Sequence, residues 1–303
     1  MNDIDTYIQA GTRDNTRRSY QQAVRHFEVE WQGFLPATSE SIVRYLVHFA
    51  PTLSINTLRQ RLSALAQWHL DQGFPDPTKT PTVRKVLRGI QALHPVQERQ
   101  ARPLQLDQLS RLVGWLEDGI TESTATGDDV RCLRHRRDKA LILLGFWRGF
   151  RGDELTRLRV EHVTAVAGQG LTCFLPHTKG DRNNNGTTFK APALAKLCPV
   201  EAYLGWTGAA RLIDGPVFRG IDRWGRVADT GLHVNSLVPM MRSLFAAAGI
   251  DYADQYSSHS LRRGFANWAT ENGWNLKTLM EYVGWTDPKS AMRYIDSVNP
   301  FAT

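Results

Sequence analysis

Cysteine is scarce in this chain. Its 303 residues hold three, Cys132, Cys173 and Cys198, too few and too scattered for a disulfide framework or a zinc site. Buried thiols in a reducing compartment are the expectation. No run of about 18 apolar residues occurs, so no membrane-spanning helix is predicted. The opening Met1-Asn-Asp-Ile-Asp-Thr6 is polar and acidic, unlike a secretory leader. A glycine-rich phosphate loop ending in Lys-Ser or Lys-Thr is missing, and so is any cluster with metal-ligand spacing. Neither a nucleotide cofactor nor a metal is therefore expected. Lysine is sparse too, with eight among 37 cationic side chains and arginine supplying the other 29.

What is present narrows the reading further. The 37 cations against 30 carboxylates give a formal charge of +7, which favours a polyanionic partner. Arginine forks onto phosphate and stacks on flat groups, so the bias modestly favours nucleic acid, although genome composition produces the same bias. Hydrophobic residues make up 42% of the chain, enough for ordinary cores. The length suggests two domains.

The N-terminal part reads as helix throughout. Tyr20, Ala23, Val24, Phe27 and Trp31 fall on one helical stripe. Ser39 is placed to cap a second helix carrying Ile42, Val43, Leu46, Val47 and Phe49, which Pro51 ends. Ser54 is placed to cap a third, with Leu58, Leu62, Leu65 and Ala66 inward and a stop near Gly73. A fourth carries Val83, Val86, Leu87, Ile90 and Leu93, and Pro95 closes it. Nothing alternates at period two, so residues 1–94 are predicted to form a small all-helical domain. Its remaining face carries Arg59, Arg61, Arg84, Lys85 and Arg88. Such a face is either simply solvated or grips phosphates. Residues 95–103, polar with Pro at each end, read as a linker.

Residues 104–303 form the second predicted domain. Leu106, Leu109, Leu112, Val113 and Leu116 share a helical face, and Asp118 to Asp129 reads as a loop. A long helix follows through Leu133–Trp147. Val163–Val166 and Leu171–Leu175 are strand-like, with glycine and asparagine turn signals between and after them. They predict a small antiparallel sheet of about three strands, with Lys179 in the turn before the third. Pro199 opens another helix, and Val238–Ala248 is helical again. The predicted class is mainly α with a small antiparallel β-sheet.

The chemistry gathers near the end. His259 and Arg262, three residues apart, share a helix turn. Trp285 and Tyr294 follow, and Asp287-Pro288 reads as a helix cap and first position. Two guanidiniums suit the non-bridging oxygens of a phosphodiester. An imidazole moves protons near neutrality, and a phenol serves as a covalent nucleophile. Taken singly, each has an ordinary explanation: His-x-x-Arg as a solvated pair, tyrosine and tryptophan as core, Lys179 as a surface residue. Arg263 rivals Arg262, and Tyr282 rivals Tyr294.

As a set, these residues resemble the tyrosine recombinase (phage integrase) family. The likeness rests on Gly149-Phe-Arg151-Gly-Asp-Glu-Leu155, His259-Ser-Leu-Arg262, Gly284-Trp285 and Tyr294, in family order. It is close from about Leu104 onward and looser before, and suggests the two-domain, Cre-like type without a further N-terminal arm-binding domain. It implies a helical core-binding domain ahead of a catalytic domain, the two clamping duplex DNA. It implies strand exchange through a 3′-phosphotyrosine, without cofactor, by a homotetramer on inverted-repeat sites through a Holliday junction. It implies catalysis by Arg151, Lys179, His259, Arg262, Trp285 and Tyr294, with Lys179 as general acid. Glu154, three residues beyond Arg151, is placed to pair with it and orient it. The family spacing selects Arg262 over Arg263 and Tyr294 over Tyr282. An Asn-rich turn after Lys179 departs from the commoner basic version. The polar, acidic start and the lack of a long apolar run make cytoplasmic residence the expectation. A type IB-like topoisomerase and a non-catalytic DNA-binding protein on the same fold remain the alternatives.

Overall fold

The structure, a computed structural model, describes residue 7 and residues 11–12, 14–95, 100–178, 180–181 and 185–295. The chain forms two compact units that divide between Arg99 and Gln100, each with its own apolar core.

The N-terminal unit is helical, as its stripes require. Helices α1 (Asp14–Arg25), α2 (Ser39–Phe49), α3 (Ile55–Asp71) and α4 (Pro81–Leu93) close over Phe27, Ile42, Tyr45, Leu46, Leu58, Leu65 and Val83, all fully buried. The first stripe does not stay α-helical. At His26–Glu30 it widens to a π turn, with Trp31 beyond it. Thr38, not Ser39, caps α2, its hydroxyl accepting from the Ser41 N–H. Ser54 caps α3 as expected. Leu93 and Val47 face outward, at 80% and 56% exposure, so the stripes are narrower than the apolar residues suggested. Arg59, Arg84, Lys85 and Arg88 are exposed. Arg61 instead folds inward onto His26, the Tyr45 hydroxyl and the Phe49 ring.

In the C-terminal unit α5 runs unbroken from Leu106 to Thr126, which corrects the loop expected at Asp118–Asp129. Thr121, Thr124 and Thr126 turn their hydroxyls back to carbonyls one helical turn earlier, so a polar sequence still propagates the helix. Gly127, in the left-handed region at φ 72°, makes the break. Helix α6 (Asp129–Trp147) packs on α5, on α8 (Pro199–Ala209) and on α10 (Ser258–Glu271). It is apolar nearly all round from Ala140 to Trp147, as a central helix must be. The short α7 (Gly152–Thr156) follows. Strands β1 (Val163–Val166), β2 (Gly170–Leu175) and β3 (Thr187–Pro192) form the expected antiparallel sheet in the order β1-β2-β3. A second ladder, β4 (Arg219–Ile221) with β5 (Val227–Gly231), was not foreseen. Helices α9 (Val234–Ala247), α11 (Leu276–Val283) and α12 (Pro288–Met292) complete the unit. Among the described residues no helix is long and apolar enough to cross a membrane.

Candidate active site

Three turns of the C-terminal unit converge on one place. The first leads from α6 to α7. Gly149 adopts φ 57° there, and its carbonyl points at the α10 guanidinium of Arg262, which donates to it at 2.8 Å. A side chain at 149 would meet both the left-handed backbone penalty and Val283. Arg151 stands at the N-cap of α7, and its backbone N–H donates to the Glu154 carboxylate at 2.8 Å. That carboxylate also takes the Arg151 guanidinium at 2.6 Å and lies 3.5 Å from Arg262. Glu154 therefore joins the two arginines rather than orienting Arg151 alone.

The second turn starts α10. Ser257 caps it, accepting from the His259 N–H, while Ser260 returns a hydroxyl acceptor to the Ser257 N–H. This sets His259 exposed at the helix entrance and Arg262, three residues on, fully buried. Burial first, then the Arg151 charge, pushes the Arg262 guanidinium down to about 9, with Glu154 pulling the other way. At neutral pH it remains a cation. Arg263 faces elsewhere and donates to the Gln100 side chain.

The third turn ends α11. Gly284, at φ 77°, caps it and throws Trp285 back over Arg262, whose guanidinium carbon lies 4.8 Å from the indole centroid. Asp287 caps α12 through the Lys289 and Ser290 N–H groups. Tyr294 lies just past the end of this helix, not in its second turn, and its N–H is held by the Ala291 carbonyl. Its ring stacks on Trp285 at 5.3 Å and lies 5.5 Å from the Arg262 guanidinium. Its hydroxyl is 3.0 Å from Nδ1 of His259.

The fold thus brings Arg151, His259, Arg262, Trp285 and Tyr294 together. Lys179 lies outside the described residues. Its neighbour Gly180 approaches Gly284 so closely that a Cβ there would sit 3.3 Å from the Gly284 carbonyl oxygen. Tyr282 is elsewhere engaged, its hydroxyl donating to the Trp147 carbonyl at 2.8 Å and its ring stacked on Phe265. Three donors of the cluster are buried without a hydrogen-bond partner among the described residues: Nε and Nη2 of Arg262 and Nε1 of Trp285. Buried polar groups are nearly always paired, so such a set marks a place for an acceptor. No group of His, Cys, Asp and Glu among the described residues is arranged to hold a metal.

The profile of the phage integrase family matches residues 225–299. An integrase/recombinase xerD homolog from Selenomonas ruminantium is 30% identical over 97% of this chain and 85% of its own. The chain belongs to the phage integrase family. It is a site-specific recombinase of the tyrosine type. Tyrosine recombinase XerD of Rhizobium meliloti is 26% identical over 94% of this chain and 85% of its own length. Two solved structures share the fold at lower identity. XerH recombinase bound to a palindromic difH substrate has TM-score 0.62 and 16% identity, over 91% of this chain and 75% of that one. The Tn1549 transposon integrase with transposon right end DNA has TM-score 0.61 and 15% identity, over 95% and 90%.

Arg148, which the resemblance did not single out, stands beside Gly149 and is nearly as deeply buried as Arg262. The run Trp-Arg-Gly-Phe-Arg carried the only signal for it, a second arginine three residues before Arg151.

Proposed function

We propose that Tyr294 is the nucleophile of DNA strand exchange. The observation that carries this reading is the set of buried donors on Arg262 and Trp285 left without a partner among the described residues, beside a tyrosine hydroxyl in hydrogen-bond contact with His259. Arg151 and Arg262 bind the non-bridging oxygens of the scissile phosphate and the charge that grows on them in the transition state. Trp285 adds its indole N–H. With the imidazole proton on Nε2, Nδ1 of His259 accepts the phenol proton as the Tyr294 oxygen attacks phosphorus. The bond to the 5′ oxygen breaks, and Lys179 protonates that leaving oxygen. The products are a 3′-phosphotyrosine and a free 5′ hydroxyl. A 5′ hydroxyl from a partner strand reverses the step, so the bond energy is retained and no nucleotide cofactor is consumed.

The rings of Trp285 and Tyr294 cover Arg262, so the phosphate enters as Tyr294 swings aside. Residues 1–94 form the core-binding domain, 95–103 the linker and 104–303 the catalytic domain. The basic side chains Arg59, Arg84, Lys85 and Arg88 of the first domain hold backbone phosphates, which fix register without reading sequence. The working assembly is a homotetramer on two inverted-repeat sites, passing through a Holliday junction in the cytoplasm. Incubating the chain with duplexes taken from the DNA flanking its own gene, at inverted repeats, should yield recombinant products. Relaxation of supercoils without recombinants would point to a topoisomerase instead.

A further inference from the structure

Arg148 is 2% exposed and ranks with Arg262 among the largest fully buried side chains. A charge that deep is normally neutralised by a carboxylate. Here none of the described carboxylates forms an ion pair with it. One terminal nitrogen donates to the Tyr282 carbonyl near the C-terminal end of α11. Its guanidinium carbon sits 3.9 Å from the Tyr282 ring centroid, 5.0 Å from Phe189 and 5.8 Å from Phe150. Nε has no hydrogen-bond partner among the described residues. A carbonyl, a helix C-terminus and π faces ease the charge but do not cancel it.

The surroundings make this more pointed. Arg148 is next in sequence to Gly149, whose carbonyl Arg262 binds, and Arg151 follows two residues later. Glu154 pairs with Arg151 and Arg262 but not with Arg148. Among the described residues, three guanidiniums against one carboxylate leave this cluster positive. The Arg148 charge is felt at Arg262, where it disfavours the protonated form alongside Arg151.

We propose that Arg148 is a positioning residue whose uncancelled buried charge is completed by the phosphate bound at Arg262, so that it strengthens anion binding at the site without touching the anion. The idea rests on the phosphate-site reading above. It also explains why the folded chain tolerates such a group. The unbound protein bears the cost of a lone buried cation, and the bound phosphodiester relieves it, most fully when a second negative charge develops on phosphorus.

The test uses the full chain and inorganic phosphate, titrated against chloride at constant ionic strength and read by thermal melting. Arg148→Met keeps the stem and removes the charge, while Arg148→Lys keeps a charge in the aromatic cage. Arg148→Met should melt no lower than wild type without phosphate, because an apolar group replaces an unpaired buried charge. Its phosphate affinity should fall by on the order of tenfold, and Arg148→Lys should regain most of that. A merely structural arginine gives the opposite pattern, with a lower melting point and unchanged affinity. Should Arg148→Met fail to fold, Arg148→Lys decides alone: affinity near wild type supports the proposal, and affinity as weak as without the charge overturns it. If wild type gains nothing from phosphate over chloride, the phosphate-site reading itself fails. If wild type and Arg148→Met gain equally, only the role of Arg148 fails.

Discussion

Glu154→Ala is the perturbation that should cost the catalytic unit most for the fewest atoms removed. The carboxylate is 3% exposed. It accepts from the Arg151 backbone at 2.8 Å, from the Arg151 guanidinium at 2.6 Å, and lies 3.5 Å from Arg262. Deleting one member of a buried ion pair costs about 3–5 kcal/mol, because the partner's charge is stranded. Arg151 keeps 21% side-chain exposure and recovers some hydration, whereas Arg262 has none to recover. The loss should therefore fall near the lower end, at ~3 kcal/mol. For a unit of about 200 residues that lowers the melting point by roughly 6–12 °C. Out of a total stability of about 5–15 kcal/mol this is a large share. Glu154→Gln keeps an acceptor for the Arg151 N–H and should lose less. Thermal melting of the three proteins makes the comparison. A Glu154→Ala variant melting within about 2 °C of wild type would refute the view that this carboxylate holds the arginines together.

Other outcomes follow from the same geometry. Tyr282→Phe should retain strand cleavage and lose only about 0.5–1.5 kcal/mol of stability, the worth of its hydrogen bond to the Trp147 carbonyl; loss of cleavage with unchanged melting would make Tyr282 a reacting group. Gly264→Ala should destabilise by about 1–3 kcal/mol or more, since a Cβ there would stand 2.0 Å from the Leu104 carbonyl oxygen, and a variant as stable as wild type in a urea melt would deny that close approach. Lys179→Ala should slow cleavage of ordinary DNA by roughly 10²–10⁴-fold yet cleave a 5′-bridging phosphorothiolate at nearly the wild-type rate, because a thiolate leaves without a proton. An unrescued defect would move the proton donor elsewhere, with His259 first in line.

How legible the site was depended on whether its partners are local in sequence. His259 and Arg262 are one helical turn apart, and Arg151 and Glu154 likewise, so spacing alone places each pair on a common face. The helix caps at Ser54 and Asp287 are equally local. Arg148 was not legible, because the Tyr282 and Phe189 rings that cage it come from distant segments. That Glu154 reaches Arg262 was hidden for the same reason. Residues 118–126 looked like a loop since serines and threonines favour turns in isolation, but Ser123 is buried on α5 and binds the Gly119 carbonyl. The β4–β5 ladder escaped notice because its strands are short. Arg61 was expected outward with the other cations, and only the fold reveals its aromatic partners.

In this mechanism Tyr294 forms the covalent bond to DNA. It is tested by trapping protein–DNA complexes on a duplex from the gene's own flanks, digesting both polymers, and locating the nucleotide by mass spectrometry. A nucleotide is expected on the peptide that begins at Tyr294, and no adduct from Tyr294→Phe although that variant still binds the duplex. A nucleotide on Tyr282 or any other residue, or an adduct that survives in Tyr294→Phe, would contradict it.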